Sequence, residues 1–131
     1  MLPRLLFVVG LFLAVSATSF AQGDKVKAPI GTWTRTVGDN KLEFKFEAKS
    51  LIFTHKEGDN MIRVEADYAI ARDGTVFGRI AKVQGGDNAP KAGLLFSFRI
   101  KTAAKSFTLS ELTGTDSNEV RDLIEGEYKA K

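Results

Sequence analysis

The sequence predicts an all-β fold: an eight-stranded antiparallel up-and-down barrel with one short helix before the last strand. Three observations carry this. Apolar and polar residues alternate with period two, most cleanly where Leu42, Phe44, Phe46 and Ala48 are interleaved with Lys41, Glu43, Lys45 and Glu47. Clusters of Gly, Asp and Asn separate the alternating segments at short intervals, as hairpin turns require. Residues 61–83 read as one long hairpin with a checkable register. The turn Arg72-Asp73-Gly74 sets Ala71 against Thr75, and this predicts Ile70 opposite Val76, Tyr68 opposite Gly78 and Ala66 opposite Ile80 on one face, with Asp67 opposite Arg79 on the other. An apolar inner face with an opposite-charge outer pair is what a half-wet antiparallel sheet needs.

Taken in order, the chain begins with a short basic start at Arg4, an apolar run over residues 5–15 and a small-residue exit at Ser19 and Ala21. These are the three parts of a Sec-type signal peptide over residues 1–21, and they predict cleavage between Ala21 and Gln22. The apolar run is shorter than the roughly 20 residues that span a bilayer, so no membrane anchor is expected after cleavage. No Cys follows it, which excludes a lipid-anchored form. A secreted or periplasmic location follows as the expectation. Residues 22–30 are polar and aperiodic and read as a flexible lead-in. Residues 31–131 form the barrel domain, and a mature chain of about 110 residues buries roughly two-thirds of its unfolded surface.

The first strand is expected over residues 32–37, closed by Gly38-Asp39-Asn40, and the second over residues 41–48. A two-residue loop at Lys49-Ser50 places Phe46 opposite Phe53 and Glu43 opposite Lys56 in the third strand. Glu57-Gly58-Asp59-Asn60 then leads into the central hairpin. A Gly, Asn and Pro loop runs from Gln84 to Ala92. Residues 93–101 resume alternation with Leu94, Phe96, Phe98 and Ile100 inward, and residues 106–112 return with Phe107 near Ile100 and Leu109 near Phe98. Asp116 with Glu119 reads as a capping box for a two-turn helix whose apolar side is Val120, Leu123 and Ile124 and which ends at Gly126. A last short strand surrounds Tyr128. No Pro interrupts any strand, and closing the sheet removes the edges those strands would otherwise expose. The interior of an eight-stranded barrel is filled by side chains or holds one small ligand.

Composition narrows the function. Nineteen basic residues stand against sixteen acidic ones, and losing Arg4 with the leader leaves a net charge of about +2. The cations alternate with carboxylates along the chain instead of clustering, so no nucleic-acid surface is expected. With no Cys there are no disulfides, and stability must come from the apolar core. His55 is the single histidine, so no His-based metal site and no Ser-His triad can be drawn, and Ser97 and Ser110 fall on outward faces. Gly85-Gly86-Asp87-Asn88 precedes no helix and reads as a turn rather than a phosphate cradle. The chain is read as a non-enzyme without a cofactor.

Candidate ligand-binding residues are Trp33, Phe44, His55, Tyr68, Phe96, Phe98 and Glu111. The aromatic rings, with Phe53 and Phe107, either cradle an apolar molecule or fill the core. The second use leaves free volume only at one end. Register points His55 inward beside Phe44 and Ile62, and Glu111 and Lys82 are candidates to join it in a polar collar at one mouth. Phe77 points outward, and with Ala81, Val83, Ile52 and Leu95 it would make an apolar docking patch.

Gly31-Thr32-Trp33 at the start of the first strand, followed by an up-and-down meander, resembles the lipocalin or calycin superfamily, whose first strand carries a G-x-W motif. The mature chain is similar in outline to small exported lipocalin-like proteins of environmental bacteria such as planctomycetes. The resemblance implies a barrel that Trp33 plugs at one end, with a basic residue of the final strand, Lys129, over the indole. The first functional reading is an exported barrel that binds a small apolar ligand at one open end or keeps the scaffold without a ligand. The alternative is a secreted or periplasmic protein-interaction module, an inhibitor or envelope component that docks a protein partner through the loop from Gln84 to Ala92 or the Phe77 face. A continuous cavity of about 300 Å³ or more would favour the first, and a filled barrel with a flat apolar patch the second.

Overall fold

A computed structural model describes residues 27–86, 89–115 and 117–131. The expected signal peptide, its expected cleavage site between Ala21 and Gln22, and most of the lead-in lie outside the described residues. So do Asp87, Asn88 and Asp116, the residue expected to cap the helix. The eight strands are β1 (Gly31–Val37), β2 (Asn40–Phe46), β3 (Ser50–Glu57), β4 (Asn60–Ile70), β5 (Thr75–Gln84), β6 (Leu95–Thr102), β7 (Ser106–Thr113) and β8 (Gly126–Ala130), with the helix α1 (Asn118–Ile124) before β8. Each strand pairs antiparallel with its neighbour in sequence, and β8 returns to β1 to close the barrel.

The central hairpin has the register its turn dictates. Ile70 faces Val76, Tyr68 faces Gly78, Asp67 faces Arg79 and Ala66 faces Ile80, while the Ala71 amide donates to the Thr75 carbonyl at 2.8 Å. Beyond Ala66 a bulge takes up Ala81, after which Glu65 faces Lys82 and Val64 faces Val83. The extra residue reverses parity. Val83 therefore turns toward the interior instead of joining an outer patch with Phe77.

Two other hairpins are displaced by two residues from expectation. Phe46 faces Leu51 and Phe44 faces Phe53, so the β2–β3 loop is Ala48-Lys49, and Ser50 begins the next strand. In the same way Thr102 faces Phe107 and Ile100 faces Leu109, around a loop at Ala104-Lys105. Both loops close through a main-chain bond, Glu47 to the Ser50 carbonyl at 2.9 Å and Ala103 to the Ser106 carbonyl at 2.8 Å. Neither uses positive φ, which among described non-glycine residues occurs only at Glu111. The β1–β2 and β3–β4 turns instead place Gly38 and Gly58 at φ 59° and 60° in front of Asp, the arrangement of a type II′ hairpin.

Leu42, Phe44, Phe46, Leu51, Val76, Phe98, Ile100, Phe107, Leu109 and Tyr128 form one buried cluster. Leu94 and Ala48, both expected inward, are exposed, because β6 begins only at Leu95 and β2 ends at Phe46, so each belongs to a loop. The two barrel ends differ. One carries the tight loops Ala48-Lys49, Asp73-Gly74 and Ala104-Lys105. The other carries the β1–β2 and β3–β4 turns, the 85–94 loop and α1.

Candidate functional site

The tight-loop end is closed by side chains. Trp33 lies edge-on to Phe107 with ring centroids 5.3 Å apart, and its indole Nε1 donates to the Pro29 carbonyl at 2.7 Å, tying the lead-in across that end. Tyr68 meets Phe46 edge-on, and its hydroxyl donates to the Glu47 carbonyl. Trp33 thus fills one end, but the expected Lys129 does not cover it. Trp33 faces Ala130, while Lys129 faces Thr34 and is exposed on the outer surface. The inward cation comes from β1 instead: Arg35 donates from Nε to the Leu123 carbonyl of α1 at 3.2 Å.

At the α1 end the barrel is not filled. A cavity of about 210 Å³ opens there, with Phe44, Phe53, Phe96, Phe98, Leu51 and Ala66 among its lining residues. Its upper wall includes Val120, Leu123 and Ile124 of α1, and its rim includes His55, Pro90, Thr113 and Thr115. The lining is almost wholly apolar. Among the described residues no group of three or more His, Cys, Asp or Glu converges to hold a metal ion.

Four of the seven candidate residues therefore share one site: Phe44, His55, Phe96 and Phe98. Trp33 and Tyr68 belong to the closed end. Glu111 turns outward and meets Arg99 at 3.2 Å, because a bulge between Ser97 and Arg99 places it at φ 54° outside the regular alternation. Lys82 is exposed opposite Glu65. The anticipated polar collar of His55, Glu111 and Lys82 reduces to one imidazole and two threonines.

His55 sits between Leu42 and Ile62 across the strands, not beside Phe44, as the two-residue register difference requires. Asn40 Nδ2 donates to the Val37 carbonyl at 3.3 Å, which turns Oδ1 toward His55 Nε2 at 2.8 Å. Since that oxygen only accepts, Nε2 is the donor in this bond, and in the tautomer that makes it Nδ1 is left as an acceptor.

The lid is α1, and it is held at a few points. Ser117 caps it by accepting from the Val120 amide, in the place expected of Asp116. The Glu125 carboxylate accepts from the Leu112 amide at 2.9 Å, and the Ile124 carbonyl accepts from Tyr128. None of its seven residues is buried. The sequence pattern marked Val120, Leu123 and Ile124 as an apolar side but gave no means of seeing that this side faces a void.

Outside the barrel, Phe77 is 55% exposed and Leu95 69% exposed, on the same face of adjacent strands. Ile52 does not join them, since Glu65, Asp67 and Arg79 intervene. No family model, curated protein or solved structure matches the chain.

Proposed function

We propose that the protein is an exported, non-enzymatic, lipocalin-like barrel that binds one compact apolar molecule beneath α1. The observation that supports this reading is the 210 Å³ apolar cavity open at a single end. An apolar cavity of about 150 Å³ stays dry and takes up benzene, so this volume suits one ring with a short substituent. It falls short of the roughly 300 Å³ expected above for a ligand site of ordinary size, which narrows the ligand to a compact molecule and disfavours long-chain lipids. A hydroxyl or N–H on the ligand would meet the His55 Nδ1 acceptor, so the preferred class is a small phenol, indole or alcohol. Enzymatic turnover is not part of the reading: among the described residues the cavity rim offers a single imidazole, and its hydrogen-bond partner is the Asn40 amide rather than a nucleophile.

Native mass spectrometry of the protein purified from its host tests both halves. The mass of the chain is expected to begin at Gln22, and a small adduct is expected to leave on collisional activation. Titration with indole or p-cresol should saturate at one equivalent, and Ala66→Leu, which grows into the cavity, should abolish binding without loss of thermal stability. A chain that keeps its leader refutes export. A cavity that takes up neither probe refutes the carrier reading and leaves the docking reading, for which the adjacent exposed side chains of Phe77 and Leu95 are the supporting observation.

A further inference from the structure

We propose that the outer face of β1 to β4 is a second binding site, a groove for a sugar carrying a phosphate or sulfate ester. Along the chain the cations alternate with carboxylates, but pairing the strands brings Lys41, Lys56, Arg63 and Lys131 to one groove of about 530 Å³. The expectation that no basic cluster forms is corrected here. Lys41 lies directly opposite Lys56, with Thr36 and Met61 on either side, and in the next row Arg63 lies opposite Thr54.

Like charges directly opposite each other destabilise a sheet. Glu43 is the groove's carboxylate, and it is already engaged by Lys131 Nζ at 3.2 Å. Among the described residues Lys41, Lys56 and Arg63 make no ion pair. Three uncompensated cations therefore converge on a concavity whose volume is that of a small-molecule site. A guanidinium beside two ammonium groups matches a tetrahedral oxyanion.

The rest of the ligand is constrained by the floor. Thr34, Thr36 and Thr54 present hydroxyl groups, and no aromatic ring lines the groove to stack a base. A hydroxylated body fits those partners. The concave shape suits a discrete molecule better than a flat lipid surface does. The groove lies on the opposite side of the sheet from the apolar cavity, so the two sites do not overlap.

Isothermal titration calorimetry with glucose 6-phosphate and glucose 6-sulfate at low ionic strength is the test, with glucose and inorganic phosphate as references. Both esters should bind, glucose should not, and inorganic phosphate should bind at least about tenfold more weakly. Lys56→Gln and Arg63→Gln should each weaken ester binding about tenfold or more, the scale of a lost charge-assisted hydrogen bond. Lys45→Gln, outside the groove, should leave it unchanged. In the ligand-free protein Lys56→Gln should raise Tm, because it relieves the Lys41 contact, so lost binding cannot be ascribed to unfolding. Equal affinity for inorganic phosphate would mean an adventitious ion only and would overturn the proposal. Silence with both esters, insensitivity to the two substitutions, or binding to phosphatidylglycerol vesicles without binding to the esters would also overturn it.

Discussion

Tyr128 shows how much one side chain is asked to do in a barrel without disulfides. It is fully buried, stacked on Phe107 at 5.1 Å and edge-on to Phe44 at 5.0 Å, and its hydroxyl donates to the Ile124 carbonyl at 2.7 Å. The ring belongs to the core while the hydroxyl holds the end of the lid. Burial pushes its pKa well above the ordinary phenol value, against a smaller opposing pull from the Arg35 charge. The folded state thus demands the neutral phenol, whereas the unfolded chain ionises near pH 10. Stability is intact below about pH 10 and falls as pH rises beyond it. Tyr68, the other tyrosine, is shifted in the same direction by desolvation. Tyr128→Phe keeps the ring and removes the hydroxyl, so at neutral pH it should cost about 1 to 3 kcal/mol by stranding the Ile124 carbonyl. Near pH 11 the gap between wild type and variant should close. Urea melts at the two pH values check this, and an unchanged gap would place the alkaline sensitivity elsewhere.

At the scale of the strand pair, Gly78 governs the shape of the cavity although it does not line it. It stands between Tyr68 on β4 and Phe96 on β6, and a Cβ built there would lie 2.2 Å from Phe96 Cζ. The ring lies over the bare glycine. Gly78→Ala should therefore swing Phe96 away, cost about 1 to 3 kcal/mol and weaken indole binding through a changed cavity wall. Thermal melts with an indole titration check it, and unaltered affinity would mean that Phe96 relaxes in another direction. The sequence exposed this row because the Asp73-Gly74 turn is chemically marked: Asp73 Oδ1 accepts from the Thr75 amide at 2.9 Å and pins the register. Ala48-Lys49 and Ala104-Lys105 carry no such mark, being ordinary residues in ordinary backbone, and both neighbouring registers came out two residues away. A displacement of two preserves the face of every side chain, which is why Phe44, His55, Phe96 and Phe98 still meet. A bulge displaces by one and does not. Val83 lies just beyond one bulge and Glu111 within the other, so alternation does not show their faces.

For the whole molecule the decisive feature is the seam. Strands without Pro favour closure but do not show it, and the charged groove is hidden in the sequence for a related reason: both depend on which strands meet, which chain order shows only for hairpins. β8 is five residues long and meets β1 through just two residue pairs, Trp33 with Ala130 and Thr34 with Lys129. Further bonds lock it, from the Ala130 amide to the Lys105 carbonyl at 2.9 Å and from the Lys131 amide to the Thr32 carbonyl at 3.0 Å. Removing residues 126–131 would withdraw Tyr128 from the core, free Glu43 from Lys131 and leave β1 and β7 as unpaired edges. Open edges with apolar inner faces template association with further chains. The truncated protein should therefore lose cooperative unfolding and elute as oligomers in size-exclusion chromatography. A cooperative, monomeric truncated chain would mean that β1 to β7 close on themselves. In that case the cavity end, whose lid is tied down by Tyr128 and Arg35, could not keep its present shape, because both ties reach α1 from the strands that form the seam.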